Sequence, residues 1–329
     1  MNVMVVGAAG YIGSHAVKQL LQSGHRVVAI DNLHRGHRQA VHPQASFQQI
    51  DLADTAALGE VLREYAVDCV MHFAALAYVG ESVTDPLSYY HNNTAGAISL
   101  LRAMQAAGVR RLVFSSTCAV YGEPEATPIV ETMRRRPISP YGWSKWCAER
   151  VLEDFAAAEK EFAFAALRYF NVAGAAADGS LGEDHNPETH LIPTLLLAAL
   201  GRRERVTVFG TDYPTPDGTC IRDYIHVEDL CAAHIVAMDA LRPGDRRFYN
   251  LGIGRGYSVR EVIESARRVS GRAIPLEYGD RRQGDPPVLF ANARKIQEEL
   301  GWSPHYTELD PIVASAWNWH KNHPQGFAV

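Results

Sequence analysis

Through the first half of the chain, short β-branched runs alternate with stretches whose apolar residues recur at helical spacing. Residues 3–6, 26–30, 69–73, 111–114 and 164–168 read as strands, and residues 12–23 and 92–107 as helices between them. Alternation of this kind predicts an α/β protein with a doubly wound parallel sheet and crossover helices. Such sheets gather their ligands at the carboxyl ends of the strands, so those ends are where chemistry is expected. After about Asn171 the alternation stops, and Pro- and Gly-rich connections at residues 174–187, 212–218 and 279–287 take over. In a compact protein such irregular segments are more often binding loops than linkers.

Composition narrows the class without deciding it. A chain of 329 residues exceeds the usual size of one core, which predicts two lobes or one lobe with a large appended part. With 47% hydrophobic and 21% charged residues and a net charge of −5, it reads as an ordinary globular protein with no surface for nucleic acid. No apolar run approaches the length of a membrane span, and the first residues start a strand at once instead of a secretory signal. Cys69, Cys118, Cys147, Cys220 and Cys231 are odd in number, scattered and without a C-x-x-C pair, as expected of inert thiols in a reducing cytoplasm. His34, His37 and His42 lie close together but lack cysteine or acidic ligands at zinc-like spacing, so no metal site is expected.

Gly7, Gly10 and Gly13 form G-x-x-G-x-x-G between the first strand and the helix beginning near Ile12. Bare glycines allow a tight turn and let backbone approach a pyrophosphate at the positive end of the helix, although a purely structural turn would use the same residues. The second strand ends in Asp31, where a carboxylate accepts hydrogen bonds from a ribose 2′-hydroxyl and repels a 2′-phosphate. That favours NAD over NADP, with His34 and Arg35 close enough to soften the choice. Asp51 and Leu52 follow the third strand and suit contact with an adenine, while a helix N-cap at Asp51 or Asp54 explains the carboxylates equally well. The sheet is therefore expected to be of the Rossmann type.

The fifth strand runs into Ser115, Ser116 and Thr117, and Ser139-Pro140 then supplies an N-cap and a first helical residue. Tyr141 and Lys145 stand one turn apart on the helix that starts there. Three positive influences, the Lys145 ammonium, the helix N-terminus and an oxidised nicotinamide, are expected to lower the phenol from its usual pKa of about 10 and let it act as a base.

Together the glycine turn, the Ser/Thr strand end and Tyr-x-x-x-Lys resemble the extended short-chain dehydrogenase/reductase family. Within it the chain looks like the UDP-glucose 4-epimerase branch. The runs that carry this closer likeness are Phe73-Ala74-Ala75-Leu76-Ala77, Val79-Gly80-Glu81-Ser82, Tyr169-Phe170-Asn171, Arg222-Asp223-Tyr224-Ile225-His226-Val227 and the C-terminal Trp317-Asn318-Trp319-His320. The likeness covers nearly the whole chain. It implies residues 1–172 as an NAD-binding domain and 173–329 as a smaller α+β domain mainly for the UDP-sugar, with residues near 221–240 returning to the first.

The same resemblance implies that NAD is held by the three glycines and by Tyr11, Ile12, Asp31, Asn32, Asp51, Leu52, Phe73, Ala74, Ala75, Leu76, Ala77, Asn92, Ser115, Lys145, Tyr169 and Phe170. Tyr141 would be the base and Thr117 would hydrogen-bond the sugar. The nucleotide of the substrate would be held by Asn171, His190, Leu191, Thr207, Val208, Phe209, Arg222 and the run Arg282-Gln283-Gly284-Asp285. An arginine suits a pyrophosphate by charge and fork geometry, though Arg281 and Arg282 read equally well as a solvated pair. Leu289 matches a position where a bulky tyrosine goes with exclusion of N-acetylated sugars. The helices at 92–107 and 143–159 match a pair that forms homodimers in related enzymes, or pack wholly within one subunit.

Two other readings remain open. Sugar-nucleotide 4,6-dehydratases, like UDP-glucuronate decarboxylases, place acidic groups beside the Thr, whereas Cys118 and Ala119 stand there in this chain. A non-catalytic NAD-sensing protein would typically lack the tyrosine or the lysine, and both are present.

Overall fold

The computed structural model describes residues 1–282 and 285–327. In chain order the first elements are β1 (Asn2–Val6), α1 (Tyr11–Gln22), β2 (Arg26–Asp31), β3 (Ser46–Gln49), α2 (Thr55–Glu64), β4 (Cys69–His72), α3 (Val79–Thr84), α4 (Pro86–Tyr89), α5 (Gly96–Ala107), β5 (Arg111–Thr117), α6 (Pro140–Ala158) and β6 (Ala163–Tyr169). The remainder comprises β7 (Asn171–Ala173), α7 (Leu191–Ala199), β8 (Val206–Phe209), β9 (Ile221–Arg222), β10 (Tyr224–His226), α8 (Val227–Ala240), β11 (Arg246–Leu251), β12 (Tyr257–Ser258), α9 (Val259–Ser270), β13 (Leu276–Gly279), β14 (Val288–Leu289), α10 (Arg294–Leu300) and α11 (Leu309–Asn322).

Seven strands form one parallel sheet in the order β11-β6-β5-β4-β1-β2-β3. Its β-branched runs are buried on both sides, as crossover helices require. Alternate residues serve opposite faces: Val3, Val5, Met71 and Leu167 pack under α1 and α8, and Met4, Val6, Phe114 and Phe164 pack under α2, α5 and α6. The strand order reverses between β1 and β4, which opens a crevice at their carboxyl ends.

β11 is a strand that the alternation did not announce. Its first residues, Arg246 and Arg247, interrupt the apolar pattern, yet Tyr249 and Leu251 are fully buried beside β6. The expected helix at 92–107 also differs at its start, where residues Tyr90–Ala95 form a π-helical turn ahead of α5. A second core lies beyond the sheet, where α7, α9 and α11 bury Leu195, Ile263 and Ile312 against β8 and β10. Small sheets β10-β7, β12-β9-β14 and β13-β8 stand apart from the seven-stranded one. Among the described residues no helix is long and apolar enough to cross a membrane.

Candidate active site

The turn between β1 and α1 cannot tolerate side chains. Gly7 has φ +84°, and a Cβ there would lie 2.5 Å from the Ala74 amide nitrogen; one on Gly13 would lie 1.9 Å from the Gly7 carbonyl oxygen. Gly10 is the N-cap of α1 and brings no side chain to its first turn, so the amides of that turn are left for an anion. Asp31 ends β2 as expected, with Oδ2 accepting from the Ala9 amide at 2.9 Å and Oδ1 from the Leu33 amide at 2.8 Å. Its remaining lone pairs can accept ribose hydroxyls.

Arg35, the residue that could have favoured a phosphate, is taken up elsewhere. It pairs with Glu81 at 2.6 Å and stacks over the Tyr78 ring. Asp51 accepts from the Asn32 amide at 2.7 Å, which ties the loops after β2 and β3, whereas the N-cap of α2 is Asp54. The loop Phe73-Ala74-Ala75-Leu76-Ala77 leaves β4 half-buried and becomes exposed at Ala77. The fully enclosed Asn93 holds it, accepting from the Leu76 amide at 2.9 Å and donating to the Leu76 carbonyl and the Ser144 hydroxyl, each at 3.0 Å. The π-helical turn thus sets Asn93 between this loop and α6, and Asn92, the expected contact, donates to it at 2.9 Å. Sequence reasoning passed over Asn93, although an Asn pair at the start of an apolar helix was a visible signal.

At the end of β5 the dyad assembles. Ser139 caps α6 by accepting from the Gly142 amide at 3.2 Å. Lys145 is buried and donates to the Ser115 carbonyl at 2.9 Å, while the Ser115 hydroxyl bonds the Tyr169 phenol. Thr117, which favours the ionised form of the Tyr141 phenol, accepts from the Ala119 amide at 3.1 Å through its hydroxyl. The expected lowering counts an oxidised nicotinamide among its causes; within the chain itself, burial pushes Tyr141 up to about 12, partly opposed by Thr117 and reinforced by Cys118. Burial likewise pulls Lys145 down to about 7, partly opposed by Glu149.

Below pH 7 the folded chain bears the cost of an enclosed ammonium. Between 7 and the unfolded value of 10.5, the unfolded chain holds more protons at this site, so stability rises with pH across that window. In NAD-stripped protein the urea midpoint of the wild type should therefore gain on that of Lys145→Met as pH climbs from 7 to 10. A constant gap would disprove an enclosed, weakly basic Lys145.

The expected substrate residues form two groups. Arg222 on β9 is buried and ion-paired to Asp285, with Leu289 on β14 beside it in register. Leu289 packs with Phe170 near Cys118, facing the dyad side. Arg282 stacks over Phe209 at 4.1 Å, while Arg281 turns to Asp212 and Tyr213, and both arginines are exposed. On β8, Thr207 and Phe209 are half-buried, whereas Val208 points into the second core and has only backbone to offer a ligand. Asn171 begins β7, and its amide donates to the Asp223 carbonyl at 3.0 Å. His190 and Leu191 start α7, with His190 Nδ1 at 2.5 Å from Glu183. Gln283 and Gly284 lie outside the described residues. Asp223, another residue not foreseen, gathers the amides of Ile253, Gly254 and Ala291 at 2.9, 3.2 and 3.1 Å and so fixes β9 and β14 around Arg222.

Residues 3–252 match the model of the NAD dependent epimerase/dehydratase family. The chain belongs to that family. The UDP-glucose 4-epimerase of Lacticaseibacillus casei is 50% identical over 328 residues, 99% of each chain. A crystal structure of a UDP-glucose 4-epimerase superposes with a TM-score of 0.96 at 46% identity, covering 100% of both chains. The enzyme from Bifidobacterium longum, solved with NAD+ and UDP, superposes with a TM-score of 0.95 at 38% identity over 99% of this chain and 100% of that one.

An NAD-dependent member of this family needs a cradle for a dinucleotide, and the residues present fit one. The bare glycine turn, the uncapped start of α1 and the Asp31 carboxylate would hold its pyrophosphate and ribose. The loop pinned by Asn93 would line the path toward Tyr141 and Lys145. When bound, NAD supplies a hydride acceptor and a positive ring beside the dyad.

Proposed function

We propose that the enzyme interconverts UDP-galactose and UDP-glucose through a transient 4-keto sugar. The observation that carries this reading is the end of β5, where Thr117 acts on the buried Tyr141 phenol, Lys145 is enclosed one turn along α6, and Cys118 and Ala119 follow the threonine. Tyr141 takes the proton of the sugar 4-hydroxyl as C4 gives up its hydride, and returns it when the hydride arrives on the other face. Thr117 holds the same hydroxyl group in line. Lys145, anchored on the Ser115 carbonyl, brings positive charge to stabilise the phenolate once formed. Proton removal at C5 would need a further acid–base pair, and neither Cys118, held up to about 12, nor Ala119 provides one.

Inversion requires the keto sugar to turn over while its nucleotide stays bound. Arg222, Asp285, Arg282, Phe209 and the start of α7 would grip the uridine diphosphate, leaving the sugar between Leu289 and the dyad. Purified protein given UDP-galactose should form UDP-glucose with no added reductant; formation of a dehydrated 4-keto-6-deoxy sugar, or no change, would refute the reading.

Leu289, in one apolar cluster with Phe170, is smaller than the tyrosine that goes with exclusion of N-acetylated sugars. UDP-N-acetylglucosamine is therefore expected to be a substrate, and Leu289→Tyr should cut that activity by roughly tenfold or more while sparing UDP-galactose. Inactivity of the wild type, coupled with a gain on making Leu289 smaller, would reverse the size argument. A homodimer is also proposed, through α5 and α6, on whose side Val83, Leu87, Tyr90 and Trp143 are exposed. The five free thiols suit a cytoplasmic setting.

A further inference from the structure

The irregular segment between β7 and α7 contains a cluster unlike anything else among the described residues. Glu183, His185, Glu188 and His190 each place one ligand atom within 4.8 Å of the others. Nitrogen and oxygen ligands at about 2.0–2.1 Å from a tetrahedral ion stand about 3.4 Å apart. Three of the four His–Glu separations already have that length: His185 Nδ1 is 3.2 Å from Glu183 and 3.5 Å from Glu188, and His190 Nδ1 is 3.5 Å from Glu188. Only the 2.5 Å contact of His190 Nδ1 with Glu183 would have to open.

A second observation is independent of these spacings. His185 Nδ1 is shielded from solvent yet makes no hydrogen bond, although two carboxylates flank it. A ring nitrogen so placed, with no hydrogen bond of its own, can turn its lone pair toward a cation held with both carboxylates. The cluster is partly enclosed: the Tyr11 and Tyr78 rings pack edge-to-face with His185 at 6.4 and 6.0 Å and the Glu183 side chain is buried, while His190 is 43% exposed.

We propose that Glu183, His185, Glu188 and His190 bind one divalent transition-metal ion of the zinc type. Two imidazoles with two carboxylates suit zinc or cobalt, and too few oxygens are present for calcium or magnesium. Both histidines would bind through Nδ1, so Nε2 of His190 stays available at the start of α7. The Tyr11 hydroxyl donates to the Gly174 carbonyl at 2.7 Å, which places the site beside the glycine turn. The ion would act as a structural clip, fastening this loop against that turn without touching the reacting sugar.

The test uses full-length protein dialysed against a chelator and titrated with cobalt(II), then zinc. Expected are the intense visible bands of a tetrahedral cobalt centre saturating at one equivalent, displacement by zinc but not by magnesium, and a zinc-dependent rise in melting temperature. His185→Asn and Glu188→Gln should each weaken cobalt binding by roughly tenfold or more and abolish the zinc-dependent rise, with circular dichroism confirming that both fold. Absence of saturable binding in the wild type would overturn the proposal. So would equal binding by folded His185→Asn, since the metal would then sit on other histidines.

Discussion

Tyr141→Phe is expected to lower kcat for C4 inversion by roughly 10²–10⁴-fold while NAD and UDP bind as in the wild type. The substitution removes one oxygen from a ring held in place by its surroundings: the Tyr89 ring lies edge-on at 6.3 Å and Ser139 fixes the start of α6. What disappears is the phenol hydroxyl that would take up the sugar's proton beside Thr117. Because burial holds the phenol near 12, its loss of a proton depends on positive charge that arrives with the cofactor and on Lys145 nearby. Activity of the wild type should accordingly rise with pH on its acid side, and that limb should vanish from the residual activity of the variant. Retention of full inversion by Tyr141→Phe, with NAD bound, would remove the phenol from the mechanism.

The second large effect concerns stability. Glu149 and Arg168 are both enclosed, with side chains 0% and 1% exposed, and meet in a two-pronged pair of 2.7 and 2.8 Å. Glu149 also accepts from Ser116 at 2.5 Å, and Arg168 donates to the Tyr121 hydroxyl at 2.9 Å, which in turn donates to Asn250 at 2.7 Å. Glu149→Ala leaves an unpaired guanidinium in the core and should cost about 3–5 kcal/mol, read as a lower urea midpoint. Replacing both partners, by Glu149→Leu with Arg168→Met, should recover much of that loss, because the penalty belongs to the orphaned charge. A single variant within about 1 kcal/mol of the wild type would show that water takes over the missing partner. The effect reaches the chemistry as well, since Glu149 lies one turn beyond Lys145 and Ser116 precedes Thr117.

What could be read from the chain beforehand was local. The glycine turn, Asp31 and the Tyr141–Lys145 spacing are each defined within one strand, turn or helix, so periodicity and neighbouring residues were enough to place them. The features that escaped depend on distant partners. Nothing adjacent to Asn93 points to Leu76 or Ser144, and the partners of Asp223 come from two later segments. β11 escaped because its paired arginines mimic a loop until β6 supplies the other side. For the phenol, the charges around it could be counted from the sequence, but the depth at which it is enclosed could not. His34, His37 and His42 are close along the chain, whereas the four groups that approach one another, Glu183, His185, Glu188 and His190, are brought together by the fold.

The late arrival of β11 bears on how this protein is made. β6 is buried along its whole length and flanked on the far side only by a strand that begins at Arg246. While the ribosome is still adding the intervening residues, β6 presents an apolar edge with unpaired amides, the kind of surface that recruits a strand from another nascent chain. Truncations ending shortly after Tyr169, made to express the front half alone, would keep that edge permanently and should precipitate. Soluble production therefore calls for a chain that extends at least past Leu251.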